Sequence, residues 1–135
     1  VRLQSHHGTG LIHLAFKGAS PDSVEITATQ DIRAWIGIGI SWGNLTSMEG
    51  NGEGADIVVC AEGVVKRYWV TSMDLGYGFE VPGAVCTVEN GRTTMTFTRA
   101  LAAQSTLQRA ISPGHDQQLI FAHGQHGEEA VKYHA

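Results

Sequence analysis

Short runs of β-branched and aromatic residues, each closed by a turn signal, recur along the whole chain, and no stretch carries the apolar period of a long amphipathic helix. The runs are Leu11 to Phe16, Ser23 to Thr29, Trp35 to Trp42, Asp56 to Cys60, Val64 to Val70, Thr93 to Arg99 and Gln118 to His123. Between them stand Lys17-Gly18, Ser20-Pro21-Asp22, Glu62-Gly63, Pro82-Gly83, Asn90-Gly91 and Ser112-Pro113-Gly114, whose residue types favour chain reversal. Seven or more strands at this spacing predict an all-β sandwich or barrel. A short piece at Ala100 to Ala110 is the only helical candidate. At 135 residues the chain fits one domain, 1–135, large enough to bury a real core.

The stretch "AWIGIGISW" is the most informative run. Alternation puts Ile36, Ile38, Ile40 and Trp42 on one face and Trp35, Gly37, Gly39 and Ser41 on the other. One face is bulky and the other nearly flat. Two glycines on one face of a strand mark a close approach, either by neighbouring side chains in a tightly packed sheet or by a large planar ligand.

Composition narrows the partners. The chain is 42% hydrophobic and 16% charged, which is ordinary for a globular domain. No window approaches the apolar length of a membrane span. A net charge of −4 without a basic cluster argues against nucleic acid and anionic membrane surfaces. The chain begins with Val1, so it reads as a processed mature chain or a piece of a longer protein. Cys60 and Cys86 could form one bridge or remain two buried thiols. Asn44-Leu45-Thr46 is an N-glycosylation sequon, which points weakly to an extracellular address.

Nucleophilic catalysis finds little support: Ser41 stands in a Gly-x-Ser-x-Gly pattern at residues 39–43, but no helical pattern follows it as a nucleophile elbow requires, and neither cysteine has a catalytic context. Glu49, Glu53 and Asp56 could pair as acid and base, but read as solvated loop acids. "SMEGNGEGADIVV", residues 47 to 59, also resembles the front half of an EF-hand loop through Glu49, Asn51, Glu53 and Gly54. The match fails at the far end, where Cys60 stands in place of the closing glutamate and a strand follows. Of the histidines, His123 and His126 have a spacing that serves a metal ligand pair, His6 and His7 read as solvated, and His13 reads as packed within an apolar strand. Methionine and histidine together can ligate a haem iron axially. Met48 has the chemistry for it, although a lone methionine beside a strand is more often core filler. No Cys-x-x-Cys-His motif occurs, so any haem would be held without covalent bonds to the chain.

The order of motifs carries more weight than any one residue. "AWIGIGIS", a Met, "GADIVV", "VVKRYWV", "TTMTFTRAL", "LIFAHG" and "VKYH" follow one another from about Val24 to the C-terminus, and in that order resemble the DOMON family. The resemblance implies an immunoglobulin-like antiparallel β-sandwich. In the family's cytochrome branch, similar to the cytochrome domain of cellobiose dehydrogenases, it implies one non-covalent haem b with Met and His axial ligands. The family's Met falls between the two strand motifs, at Met48 here, and its His near the end, at His134, with His123 and His126 as alternatives. Glu49 to Glu53 reads as an insertion between the Met and "GAD".

The expected function is therefore electron transfer rather than catalysis, by an extracellular or secretory-pathway domain. Trp35, Gly37, Gly39, Phe97 and Phe121 are candidate haem-pocket walls. The partner would be a redox protein or domain, a dehydrogenase or a membrane b-type cytochrome. Other family members hold no haem and resemble modules that bind carbohydrate or protein. Trp42, Trp69, Tyr68 and Tyr77 are the aromatics such a module could expose.

Overall fold

Ten strands form two antiparallel sheets in the computed structural model, which describes residues 2–4, 11–41, 54–71, 77–103, 110–111, 118–125, 127–128 and 131. The strands are β1 (Arg2–Gln4), β2 (Leu11–Ser20), β3 (Ser23–Gln30), β4 (Ile36–Ser41), β5 (Ala55–Ala61), β6 (Val64–Val70), β7 (Phe79–Glu80), β8 (Val85–Glu89), β9 (Arg92–Ala100) and β10 (Gln118–His123). Sheet A has the order β1-β2-β3-β9-β8 and sheet B the order β10-β4-β5-β6-β7. Among the described residues there is no helix, so the chain is an all-β sandwich as the punctuated pattern predicts. Ala100 ends β9, and residues 104–109 of the expected helical piece lie outside the described residues.

Alternation decides which side chains meet between the sheets. Ile12, Leu14, Ile26, Ala28, Met95 and Phe97 from sheet A pack against Ile36, Ile38, Val58, Cys60 and Val65 from sheet B, all buried. The solvent face of sheet A carries threonines in register, Thr29 opposite Thr94 and Thr27 opposite Thr96, a β-branched polar surface suited to a half-exposed sheet. Sheet B departs from that rule. Its outer face holds a second buried cluster of Trp35, Ala55, Ile57, Val59, Val70 and Ile120, so β5 is buried on both sides.

The hairpin turns follow residue chemistry. Glu62-Gly63 and Asn90-Gly91 both hold positive φ at their two positions (51° and 79°, 52° and 75°), which matches the twist of the strands they join. Lys17-Gly18 does not end its strand as expected. The strand continues to Ser20, and the pairing with β3 shifts register between Gly18 and Ser20, so the irregularity is absorbed as a bulge. Strands β1, β7 and β8 were not foreseen: two are only 3 and 2 residues long, and most of β8 is exposed.

Cys60 on β5 and Cys86 on β8 form a disulfide, with Cα atoms 5.5 Å apart. The bond joins the centre of sheet B to the edge of sheet A. It closes a loop across a sequence separation of 26, for which the loop-entropy relation gives about 3.5 kcal/mol. Replacing both cysteines by alanine is expected to lower unfolding stability by about that amount, read as a lower midpoint in guanidinium chloride, with a steeper slope because the unfolded chain is no longer cross-linked. A midpoint equal to that of the parent would show that the bond constrains nothing.

Candidate functional site

The two motifs that bracket Met48 are hydrogen-bonded neighbours. Strand β4 carries "IGIGIS" and β5 begins inside "GADIVV", and they pair antiparallel from Ile36 opposite Cys60 to Ile40 opposite Asp56. Residues 42–53 are thus the direct connection between adjacent strands, leaving after Ser41 and returning at Gly54. Met48 itself, with His134 and His126, lies outside the described residues.

At that end of the sandwich a carboxylate is buried. Asp56 is only 2% exposed, on the inner face of β5. Arg67 of β6 grips it side-on, Nε donating to Oδ1 at 2.9 Å and Nη2 to Oδ2, and Arg99 of β9 donates from Nη1 to Oδ2 at 3.1 Å. The charges span both sheets. Register places them: Asp56 faces inward because it pairs with inward Ile40, and Arg67 because it pairs with inward Val58. Burial holds the pKa of Arg99 below the usual guanidinium value; Asp56 opposes that shift and the like charge of Arg67 adds to it. The reading of Asp56 as a solvated loop acid is corrected: the strand starts one residue before it, and alternation turns it into the core.

The proposed wall residues fall into two groups separated by sheet B. Trp35, Gly37 and Gly39 are on its outer face. Phe97 is between the sheets, and Phe121, opposite Ile38, packs against the same inner cluster. At Gly39 the space is taken by the sheet's own side chains, since a Cβ there would stand 2.8 Å from Ile57 Cγ1 and 2.9 Å from Ile120 Cγ1. Gly37 has ordinary room, with no atom closer than 3.5 Å to its ideal Cβ.

Trp35 is held by the chain that follows β10. Its backbone N–H donates to Glu128 O at 2.9 Å, its indole Nε1 to Glu128 Oε1 at 3.3 Å, and its carbonyl accepts from Gly124 N at 3.0 Å. Nearby, Gln30 is buried and donates from Nε2 to the carbonyls of Ala34 and Trp35. His123 sits at the same end, opposite Ile36, with Nδ1 donating to Gly124 O at 2.7 Å and a buried Nε2 that has no hydrogen-bond partner among the described residues. That geometry fixes a tautomer whose Nε2 lone pair is open, as metal-ligating histidines require. It is nevertheless at the opposite end of β4 from Ser41, where the Met48 connection departs. His13 is exposed on the solvent face of sheet A, not packed as its apolar neighbours suggested.

Among the described residues, no three of His, Cys, Asp and Glu come together to hold a metal ion. An open polar groove of about 420 Å³ lies beside the β8–β9 turn, lined by Asp31, Arg92, Thr87 and Thr94 among others. Of the aromatics named as exposable, Tyr77 is exposed, Tyr68 and Trp69 are half-buried, and Trp42 lies outside the described residues.

Asp56→Ala leaves Arg67 and Arg99 facing each other in the interior. Removing one partner of a buried ion pair costs about 3 kcal/mol or more, and chemical denaturation of the variant is expected to show a loss of that size. A variant as stable as the parent would mean the cluster contributes nothing to holding the sheets. Comparison with protein-family models, curated proteins and solved structures found no match, so the DOMON resemblance stands on the residues that carry it.

Proposed function

We propose that the chain is an electron-transfer domain of b-type cytochrome character, taking one non-covalent haem b between Met48 and His134. The observation that carries this reading is the pairing of β4 with β5, which makes the Met48 stretch the direct connection between the two most specific motif strands. The donor set fits the group: a thioether needs no deprotonation, and an imidazole binds through one nitrogen while the other is free to be oriented. Chain reach is compatible as well. Glu128 is fixed beside Trp35 at the start of β4, and the six residues from there to His134 can extend about 20 Å, roughly the length of that strand.

Bound haem would supply reversible one-electron transfer, and methionine ligation tends to raise its potential. If Met48 and His134 both held the iron, no position on it would be left for a substrate, which favours a carrier over a catalyst. The partner on this reading is another redox protein or domain, such as a dehydrogenase or a membrane b-type cytochrome. The disulfide supports an extracellular or secretory-pathway setting, and no helix among the described residues is long and apolar enough to cross a membrane.

A second reading, a haem-free module that binds carbohydrate or protein, is favoured by one observation: Tyr77 and Phe79 form an exposed edge-to-face pair. The visible spectrum of purified protein, oxidised and then reduced, separates the two. Low-spin bands that sharpen on reduction are expected, with Met48→Ala and His134→Ala each altering them. A folded preparation that stays colourless after haem addition would refute the cytochrome reading, and an unchanged spectrum in either variant would remove that residue as a ligand.

A further inference from the structure

Tyr77 and Phe79 are the two most exposed large apolar side chains among the described residues, 81% and 65%, with ring centroids 5.2 Å apart at 73°. Their presentation is built into the edge of sheet B. Gly78 between them lies against the ring of Tyr68 on β6, where a Cβ would stand 2.4 Å from Cε1. Only glycine permits that approach, which fixes the path of the chain and leaves the two rings, two residues apart, in contact with each other. Phe79 is also the cross-strand partner of Arg67. Directly opposite residues share a face of the sheet, with Cβ atoms about 5 Å apart.

Arg67 is a pre-set cation. Its Nε and Nη2 are engaged side-on by buried Asp56, which locks the plane of the guanidinium. The end-on edge, Nη1 with the second N–H of Nη2, meets no acceptor among the described residues, and the side chain keeps 20% of its exposure. A fixed fork of donors beside exposed rings suits a planar anion with an apolar body.

We propose that Arg67, Phe79 and Tyr77 form a binding site for a carboxylate carried on an aromatic or apolar group. The carboxylate accepts end-on from Arg67, and the body of the ligand covers the ring of Phe79 with Tyr77 as its second wall. Because Asp56 already holds the guanidinium, little side-chain freedom is lost on binding. Charge complementarity selects the anion: a neutral amide of the same shape has an N–H₂ where the fork demands an acceptor. The site is independent of haem, so its success or failure leaves the electron-transfer reading where it stands.

Titration of the isotope-labelled protein with phenylacetate and, separately, phenylacetamide, followed by NMR, tests this. Phenylacetate is expected to shift the Arg67, Phe79 and Tyr77 signals with a dissociation constant on the order of 1 to 10 mM, and phenylacetamide to bind about ten-fold more weakly. Phe79→Ala, which removes an exposed ring and leaves the Asp56 ion pair intact, is expected to lose phenylacetate binding in a folded protein. Arg67→Lys is expected to weaken it by a similar factor, because an ammonium cannot present the fork. N-acetyl-alanyl-phenylalanine identifies the source: tighter binding than phenylacetate marks a peptide C-terminus, equal binding a free aromatic acid. Equal affinity for acid and amide, shifts centred elsewhere, or unaltered binding by Phe79→Ala would overturn the proposal.

Discussion

Strand β5 is buried on both faces, and the rest of the architecture is arranged around that fact. An antiparallel sheet in a two-layer sandwich ordinarily turns polar side chains outward, as sheet A does with its threonines. Sheet B instead puts Ile57, Val59 and Ile120 outward beside Trp35, and these are as well buried as the residues between the sheets. The outer cluster explains why β4 alternates isoleucine with glycine. Ile36 and Ile38 fill the inner core, while the glycines leave room on the outer side for the isoleucines and valine of β5 and β10 to close over the strand.

Two different bonds tie sheet B to sheet A. The disulfide between Cys60 and Cys86 reaches the exposed edge strand β8, and the Asp56 cluster reaches central strand β9 through Arg99. Their physics is unlike. The disulfide works by restricting the unfolded chain and tolerates some freedom around it. A buried ion pair gives little net stability over an apolar equivalent, but it penalises any packing that separates its members. Asp56 therefore fixes how the two sheets align more than how strongly they adhere, since a slip of one residue on β5 would carry the carboxylate to the opposite face.

Most strands were legible in the sequence because their periodicity and their bounding turns agree. Val64 to Val70 and Gln118 to His123 have the observed limits of β6 and β10. What sequence could not supply was the environment of each face. Asp56 looks like a loop acid after "GNGEG" because nothing local reveals that Arg67 and Arg99, 11 and 43 positions away, converge on it. A usable signal existed in "ADIVV": a lone acid flanked by apolar residues within a strand requires a cationic partner. The flat face of β4 is plain in the alternation of isoleucine and glycine, yet its occupant at Gly39 is the sheet itself, which only the cross-strand register with Ile57 and Ile120 discloses. Strand β8 escaped because an exposed edge has no buried face to impose a pattern. Met48 and His134 were singled out by motif order, and both lie beyond the described residues.

The two ends of the sandwich differ in a way that bears on where a ligand could enter. At the end where β4 begins, backbone hydrogen bonds knit 33–35 to 124–128, and Gln30, Thr93 and His123 fill the interior with side chains bonded to nearby carbonyls. At the other end β4, β6 and β9 finish and β5 and β10 start, so the connections 42–53, 71–78 and 101–117 all depart from or return to the neighbourhood of Asp56. Three connections therefore gather at that end, over a buried charged floor. On the proposed electron-transfer reading, that asymmetry favours His134 over the alternative His123 as the partner of Met48. The ring of His123 lies at the closed end of β4, whereas the six residues from Glu128 to His134 are long enough, if fully extended, to match that strand's length.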